Sequence, residues 1–385
     1  MFETVEQVGI GHPDKVADRI SDSILDELLK QDANSRVAVE TLIKDEKVVV
    51  AGEITSTATI DIYKIVESAF VEAGYDMKPS IEINISKQSP DIACGVDTGG
   101  AGDQGVMVGY AIAETEHYMP LAHEIATKIL LRANMLRMTG TFQYAKSDMK
   151  SQVTMDNEKQ RIDTIVVSIQ YEADYNEKEF KDFITRYIID PVVADYKLNK
   201  DYRCLINPTG AFVIGGSVGD TGLTGRKIIA DSYGPVCSHG GGAYSGKDPS
   251  KVDRSGAYIT RKIAKHIVAS GMAEIAEVKL AFAIGVAKPV ALDIECYGTE
   301  NIDIEIIKAV VRNEFDLTPA GIIKELELKK PIYKRISAYG HFGINAVDMP
   351  WEKLDKIGIF KQVLEFHTKQ EKIIEKCLEK YLGGK

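Results

Sequence analysis

The sequence predicts an α+β fold with mixed or antiparallel sheets. Two observations carry that expectation. The strand-like runs are not separated regularly by helices of crossover length, as a doubly wound parallel sheet requires. Several of them meet instead through short turns: VAVETLIK (37–44) and KVVVAGEIT (47–55) flank Asp45-Glu46, which reads as a hairpin turn. At 385 residues the chain has room for two or three domains with well-buried cores.

Taken in order, GHPDK (11–15) opens a helix. Val16, Ile20, Ile24, Leu28 and Leu29 fall near helical spacing, Pro13 suits a first turn and Asp14 suits a helix N-terminus. After the hairpin, residues 60–75 read as a helix closed near Gly74, and IEINIS (81–86) alternates as a strand. KQSPDIACGVDTGGAGDQG (87–105) is dense in turn formers and reads as a long loop, followed by the strand VMVGYAIAE. Residues 120–138 form a helix begun by Pro120, and SDMKSQVTM (147–155) leads into the alternating strand DTIVVSIQY (163–171). Residues 179–196 are helical, bent or ended at Pro191. Residues 206–234 are rich in loop formers.

AYITRKIAKHIVASG (257–271) is expected to be amphipathic, with Ile259, Ile263, Ala264, Ile267 and Val268 on its apolar face and Arg261, Lys262 and Lys265 between them. Ser250 and Asp253 have capping-box spacing at its start. VKLAFAIGVA (278–287) and VALDIECY (290–297) read as paired buried strands, IDIEIIKAVVRNEF (302–315) as a helix, and the end of the chain as a helical tail.

The net charge of −10 argues against a nucleic-acid binder. The cations Arg226, Lys227, Lys247 and Lys251 are clustered instead, which points to a local anionic ligand. Five cysteines, Cys94, Cys204, Cys237, Cys296 and Cys377, are widely spaced with no C-x-x-C pattern, which argues against a zinc or disulfide framework and fits a reducing cytosol. The N-terminus has no apolar signal region, and Lys288 breaks the best apolar run, so a cytoplasmic protein with no membrane partner is expected.

The stretch HGGGAYSGKDPSKVDRS (239–255) organises the chemistry. Gly240, Gly241 and Gly242 allow a close backbone approach, and Lys247 and Lys251 add charge; together they suit a polyphosphate. Asp248 and Asp253 among those cations most simply hold Mg²⁺ that bridges to phosphate. Gly241 to Lys247 match Walker A spacing, but Asp248 replaces the Ser or Thr, Pro249 interrupts the helix start and no buried strand precedes. Gly100 to Gly105 match G-x-G-x-x-G, yet a strand rather than a helix follows, so a Rossmann site is a weak reading. Taken alone, Glu40 and Glu53 on strands and the pair Arg226-Lys227 are ordinary solvated charges.

The set and order of motifs decide more than any one of them. GHPDK (11–15), GEIT (52–55), QSPD (88–91), GAGDQG (100–105), DMKSQV (148–153), NPTG and FVIGG (207–216), GDTGLTGRK (219–227), the glycine-loop stretch, AIGVA (283–287), AYGHFG (338–343) and PWEK (350–353) resemble methionine adenosyltransferase (S-adenosylmethionine synthetase). The resemblance covers residues 3–355. It implies three intertwined α/β-sandwich-like domains with pseudo-threefold symmetry: 1–88, 101–212 and 213–352, with a gate loop at 89–100 and a helical tail at 353–385. It implies ATP, L-methionine and water giving S-adenosylmethionine, phosphate and pyrophosphate, in a homodimer with shared active sites that pairs into a tetramer.

By the same resemblance, His12 contacts the phosphate chain, and Lys150, Arg226, Lys227 and Lys247 form its clamp. Asp14 and Asp253 look like ligands of a pair of Mg²⁺ ions, and Glu40 like the carboxylate of one K⁺ site. Glu53 and Gln88 match methionine-binding positions, and Asp220 and Lys251 match positions holding methionine and ATP groups. Asp103, Asp148, Phe212, Ala243 and Ile284 match the lining of the nucleoside and product pocket. Departures from the family pattern are Ala211 in place of an arginine, Gly9-Ile10 before the first motif, a short gate and a long tail. A non-catalytic regulatory subunit and a tripolyphosphatase without alkyl transfer are the other readings. The intact cations disfavour the first, and Glu53 with Gln88 the second.

Overall fold

The computed structural model describes residues 2–87 and 99–382. The chain runs β1 (Phe2–Val8), α1 (Pro13–Gln31), β2 (Arg36–Lys44), β3 (Lys47–Thr55), α2 (Ile62–Ala73) and β4 (Ser80–Ser86). It continues through β5 (Gly105–Ile112), α3 (Leu121–Met138), β6 (Ala145–Asp156), β7 (Arg161–Tyr171), α4 (Glu177–Phe183), α5 (Asp190–Asp195) and β8 (Arg203–Ile206). It ends with β9 (Gly222–Leu223), α6 (Val252–Ala269), β10 (Ile275–Phe282), β11 (Ala291–Glu295), α7 (Ile304–Glu314), α8 (Pro319–Glu325) and α9 (Ile357–Leu382).

The strands form three sheets, ordered β4-β3-β2-β9, β1-β6-β7-β8 and β11-β10-β5. The pairs β3–β4 and β7–β8 are parallel and the other strand pairs antiparallel, so the expected α+β class with mixed sheets holds. Each sheet is covered by one long helix: α1 packs on the first, α3 on the second and α6 on the third. The sheets also exchange strands in a cycle. β1 leaves its own neighbours for the second sheet, β5 joins the third, and β9 returns to the first.

The local signals worked where a backbone rule was at stake. Asp45 takes φ 53° in the β2–β3 hairpin, and Gly74 closes α2 at φ 81°. The helical run continues through Pro191 rather than ending there. The stretch Ile184–Ile189 widens to a π-helical turn ahead of it, and the Tyr187 carbonyl, four residues before the proline, accepts from Arg132 Nε.

Helix α6 corrects the amphipathic expectation. Arg254 and Arg261 are 0 % exposed and Lys262 1 %, because the third sheet covers one side and the segment around Trp351 the other. Arg261 grips Glu352 at 2.9 and 3.0 Å and donates to the carbonyls of Tyr110, Tyr118 and His117. Lys265 reaches the same carboxylate at 2.7 Å. The capping box does not form either. Lys251 is the N-cap residue, Asp253 stands in the first turn, and the Ser250 hydroxyl has no partner among the described residues. One further expectation changes. Only Ile294 of β11 is buried, because β11 is an edge strand. In α9, Phe360 is buried and Ile373 and Ile374 are exposed.

Arg261→Ala should destabilise the fold by roughly 3–5 kcal/mol, since it strips a partner from a buried carboxylate and from three carbonyls. Denaturant unfolding of the variant beside the parent protein measures this.

Candidate functional site

Helix α1 opens on a side-chain cap followed by a buried carboxylate. His12 is the N-cap residue, and its Nδ1 accepts the Asp14 N–H at 3.2 Å. A neutral ring then carries its proton on Nε2. Burial, with Lys150 and Lys227 nearby, pushes the His12 pKa down to about 3, so the ring is neutral at ordinary pH. Lys150 lies across the β1–β6 pairing from Val8 and is exposed.

Asp14 is 0 % exposed and fully engaged. Its Oδ1 accepts from Leu223 N–H and Arg226 Nε, both at 2.9 Å, and its Oδ2 from Lys227 Nζ at 2.5 Å. Burial works to raise its pKa, but the Lys227 bond and the Leu223 N–H outweigh it and hold the carboxylate below its usual range. Asp220 is exposed close by and acts electrostatically on both His12 and Asp148. Asp148 accepts the Gly216 N–H at 2.8 Å through Oδ2, while its Oδ1 has no partner among the described residues. Burial raises its pKa to about 6. Phe212 is half-buried and tied by its backbone to Tyr171.

The glycine loop forms a second group. A Cβ on Gly240 would sit 1.6 Å from the Val106 carbonyl oxygen, and one on Gly246, at φ 79°, 2.0 Å from that of Val39. The loop is therefore pressed against β5 and β2. Lys247 Nζ reaches Asp253 Oδ2 at 2.6 Å, beside Gly242. Asp248 is not free to hold a metal, which corrects that reading of the loop. It accepts from Val37 N–H, Ser250 N–H and Lys251 Nζ, at 2.7, 2.9 and 2.6 Å, and so fastens the loop to β2. Ala243 lies against Gly225, just before Arg226. Asp103 is exposed ahead of β5, and exposed Ile284 bridges Ala101.

Glu40 and Glu53 are exposed, and the β2–β3 register pairs Glu40 with Ala51 and Glu53 with Ala38, so both carboxylates share one open sheet face. Gln88 lies outside the described residues, as does the gate loop apart from Gly99 and Gly100.

Residue-by-residue reading missed a feature of α1 itself. Asp14, Asp18, Asp22 and Asp26 stand four apart and are all buried. Asp18 accepts from Lys15 and the Gly225 N–H, Asp22 from Arg254 and the Gly246 N–H, and Asp26 from the N–H groups of Tyr333 and Lys334. The i, i+4 spacing of the four aspartates was the visible signal.

Models of the S-adenosylmethionine synthetase N-terminal, central and C-terminal domains match residues 1–96, 98–212 and 214–353. The S-adenosylmethionine synthase of Mycoplasma mycoides subsp. mycoides is 47 % identical over 374 residues, which span 93 % of this chain and 96 % of that protein. That of Clostridium tetani is 47 % identical, over 94 % of this chain and 99 % of its own. That of Mesoplasma florum is 46 % identical, over 93 % and 99 %.

Because the folded pKa of His12 lies below the ordinary 6.5, the neutral ring's contribution to stability is complete above that pH and is lost as pH falls toward about 3. His12→Gln should flatten this part of the pH–stability curve. Denaturant titrations across the acid range check it, and the His12 ring resonances should not titrate between about pH 5 and 8.

Proposed function

The chain belongs to the S-adenosylmethionine synthetase family, and from there we propose that it converts ATP, L-methionine and water to S-adenosyl-L-methionine, phosphate and pyrophosphate. The observation that carries the site reading is the convergence of Arg226 and Lys227 on Asp14 beside the neutral His12. The thioether sulfur of methionine is already nucleophilic and needs no base. It displaces the whole tripolyphosphate from the ribose C5′ carbon, and water then cleaves the tripolyphosphate. The difficulty is charge on the leaving group, which calls for cations in place beforehand. Lys150, Arg226, Lys227 and Lys247 are those cations, and His12 Nε2–H donates to the phosphate chain.

In the protein alone, Asp14 neutralises Arg226 and Lys227. A polyphosphate carries more charge than one carboxylate, so it takes over both cations and frees Asp14 Oδ2, while Oδ1 keeps the Leu223 N–H. We assign Asp14 and Asp253 to a pair of Mg²⁺ ions. Single carboxylates of this kind suit Mg²⁺, and the ions, when bound, would supply positive charge against the leaving oxygens. Glu40 offers an oxygen to one K⁺. Glu53 and Gln88 serve methionine, Asp220 and Lys251 serve methionine and ATP groups, and Asp103, Asp148, Phe212, Ala243 and Ile284 line the nucleoside and product pocket.

We place the active centre between two copies of the chain, in a homodimer that pairs into a tetramer. Two features support this. Glu40 and Glu53 lie on an open sheet face. Among the described residues, no ion pair links the His12 group to the Lys247 group. Residues 1–88, 101–212 and 213–352 are read as the three domains, with 89–100 a gate and 353–385 a tail. Among the described residues no helix is long and apolar enough to cross a membrane, and we read the enzyme as cytoplasmic.

A mass-balance assay tests the reaction. With ATP, Mg²⁺, K⁺ and methionine, S-adenosylmethionine, pyrophosphate and phosphate should form in equal amounts, and only when methionine is present. Phosphate without S-adenosylmethionine would favour a phosphohydrolase instead. Lys247→Ala should lower turnover by roughly 10²–10³-fold, and near-normal turnover would remove Lys247 from the clamp.

A further inference from the structure

We infer that Asp22 and Arg254 are positioning residues that aim Lys247, although neither is accessible to a substrate. The inference rests on the reading of Lys247 as part of the phosphate clamp. Both side chains are 0 % exposed. Arg254 meets Asp22 fork to fork, with bonds of 2.7 and 2.8 Å. Each partner then reaches the loop that carries Lys247. Asp22 Oδ1 accepts the Gly246 N–H at 2.9 Å, and Arg254 donates to the Lys247 carbonyl at 3.2 Å through the same terminal nitrogen that meets Asp22 Oδ1. The pair therefore holds the loop by the amide entering Gly246 and the carbonyl leaving Lys247.

The pair has little freedom of its own. Arg254 Nε donates to the Tyr258 hydroxyl at 2.9 Å, and its guanidinium lies 4.2 Å from the centre of the Tyr333 ring. Gly246 is confined further by Val39, whose N–H donates to the Gly246 carbonyl at 3.0 Å. Lys247, 27 % exposed, is the part of this assembly that points outward. A buried ion pair contributes little stability beyond an apolar contact of the same shape. The return here is directional: the charge offered to a phosphate chain is fixed before the ligand arrives.

The test is a double-mutant cycle on assembled protein. Arg254→Lys keeps a charge for Asp22 but loses the fork; Asp22→Asn keeps the shape but loses the charge. Either should lower kcat by about 10²-fold, the size expected when a charge is misplaced by an ångström. In a Lys247→Ala background the same change should cost less than about 2-fold, because the group being aimed is gone. An equal fold-loss in both backgrounds would overturn the inference and make the pair merely structural. Near-normal turnover of Lys247→Ala alone would sink the clamp reading, which is a separate result. Hydrogen exchange on the parent protein needs no variant. The Gly246 amide should exchange as slowly as the core amides of α6, and exchange at the rate of open loop amides would overturn the inference.

Discussion

A carboxylate is buried on α1 at every fourth residue from Asp14 to Asp26. Like charges at that spacing repel along a helix, and burial adds the cost of leaving water. The helix keeps four of them by drawing donors from distant segments, together with Lys15 from α1 itself. Asp14 is met by β9 and the loop after it, Asp18 by that same loop and Lys15, Asp22 by the glycine loop and the start of α6, and Asp26 by the turn at Tyr333. Segments more than two hundred residues away in sequence are thereby fixed against one helix. The loops carrying the proposed phosphate clamp are among them.

Neighbouring acids in this neighbourhood do opposite work. Asp248 and Asp253 stand five residues apart, yet Asp248 is 1 % exposed and held by backbone N–H groups and Lys251, while Asp253, in the first turn of α6, is partly exposed and among the described residues forms an ion pair with Lys247. Asp253 can change partner at the cost of one side-chain contact; Asp248 cannot without releasing the loop from β2. The difference comes from the strand it faces, not from the residue type. His12 shows the same dependence: burial and two lysines make a histidine that stays neutral and keeps one nitrogen for donation.

The cyclic exchange of strands places a further constraint on how such a site can be built. β1 completes a sheet with β6, β5 with β10, and β9 with β2. A sheet completed by a strand from a distant part of the chain forms late, because loop closure must come before its contacts reward it. The glycine loop depends on this arrangement directly, since it is wedged between β5 and β2, strands of different sheets.

Local rules were legible in the sequence. Alternation and turn chemistry named the β2–β3 hairpin, Gly74 named the end of α2, and a strand after GAGDQG removed the dinucleotide reading. The ordered motifs also named the family, because side chains that meet a common ligand must keep their identity and spacing. What the sequence did not determine was which charges would be buried. Arg261 looked like the polar side of an amphipathic helix until Glu352, ninety-one residues on, came to meet it. The aspartate ladder was visible as a spacing, but its meaning lay in donors from distant segments: β9 and the loop after it, the glycine loop, α6 and the turn at Tyr333. Which strand joins which sheet, and which carboxylate is locked to backbone rather than to a side chain, were decided by tertiary structure alone. The reason is physical: periodicity records a segment's own geometry, whereas a buried charge is tolerated or not according to partners that sequence neighbours do not supply.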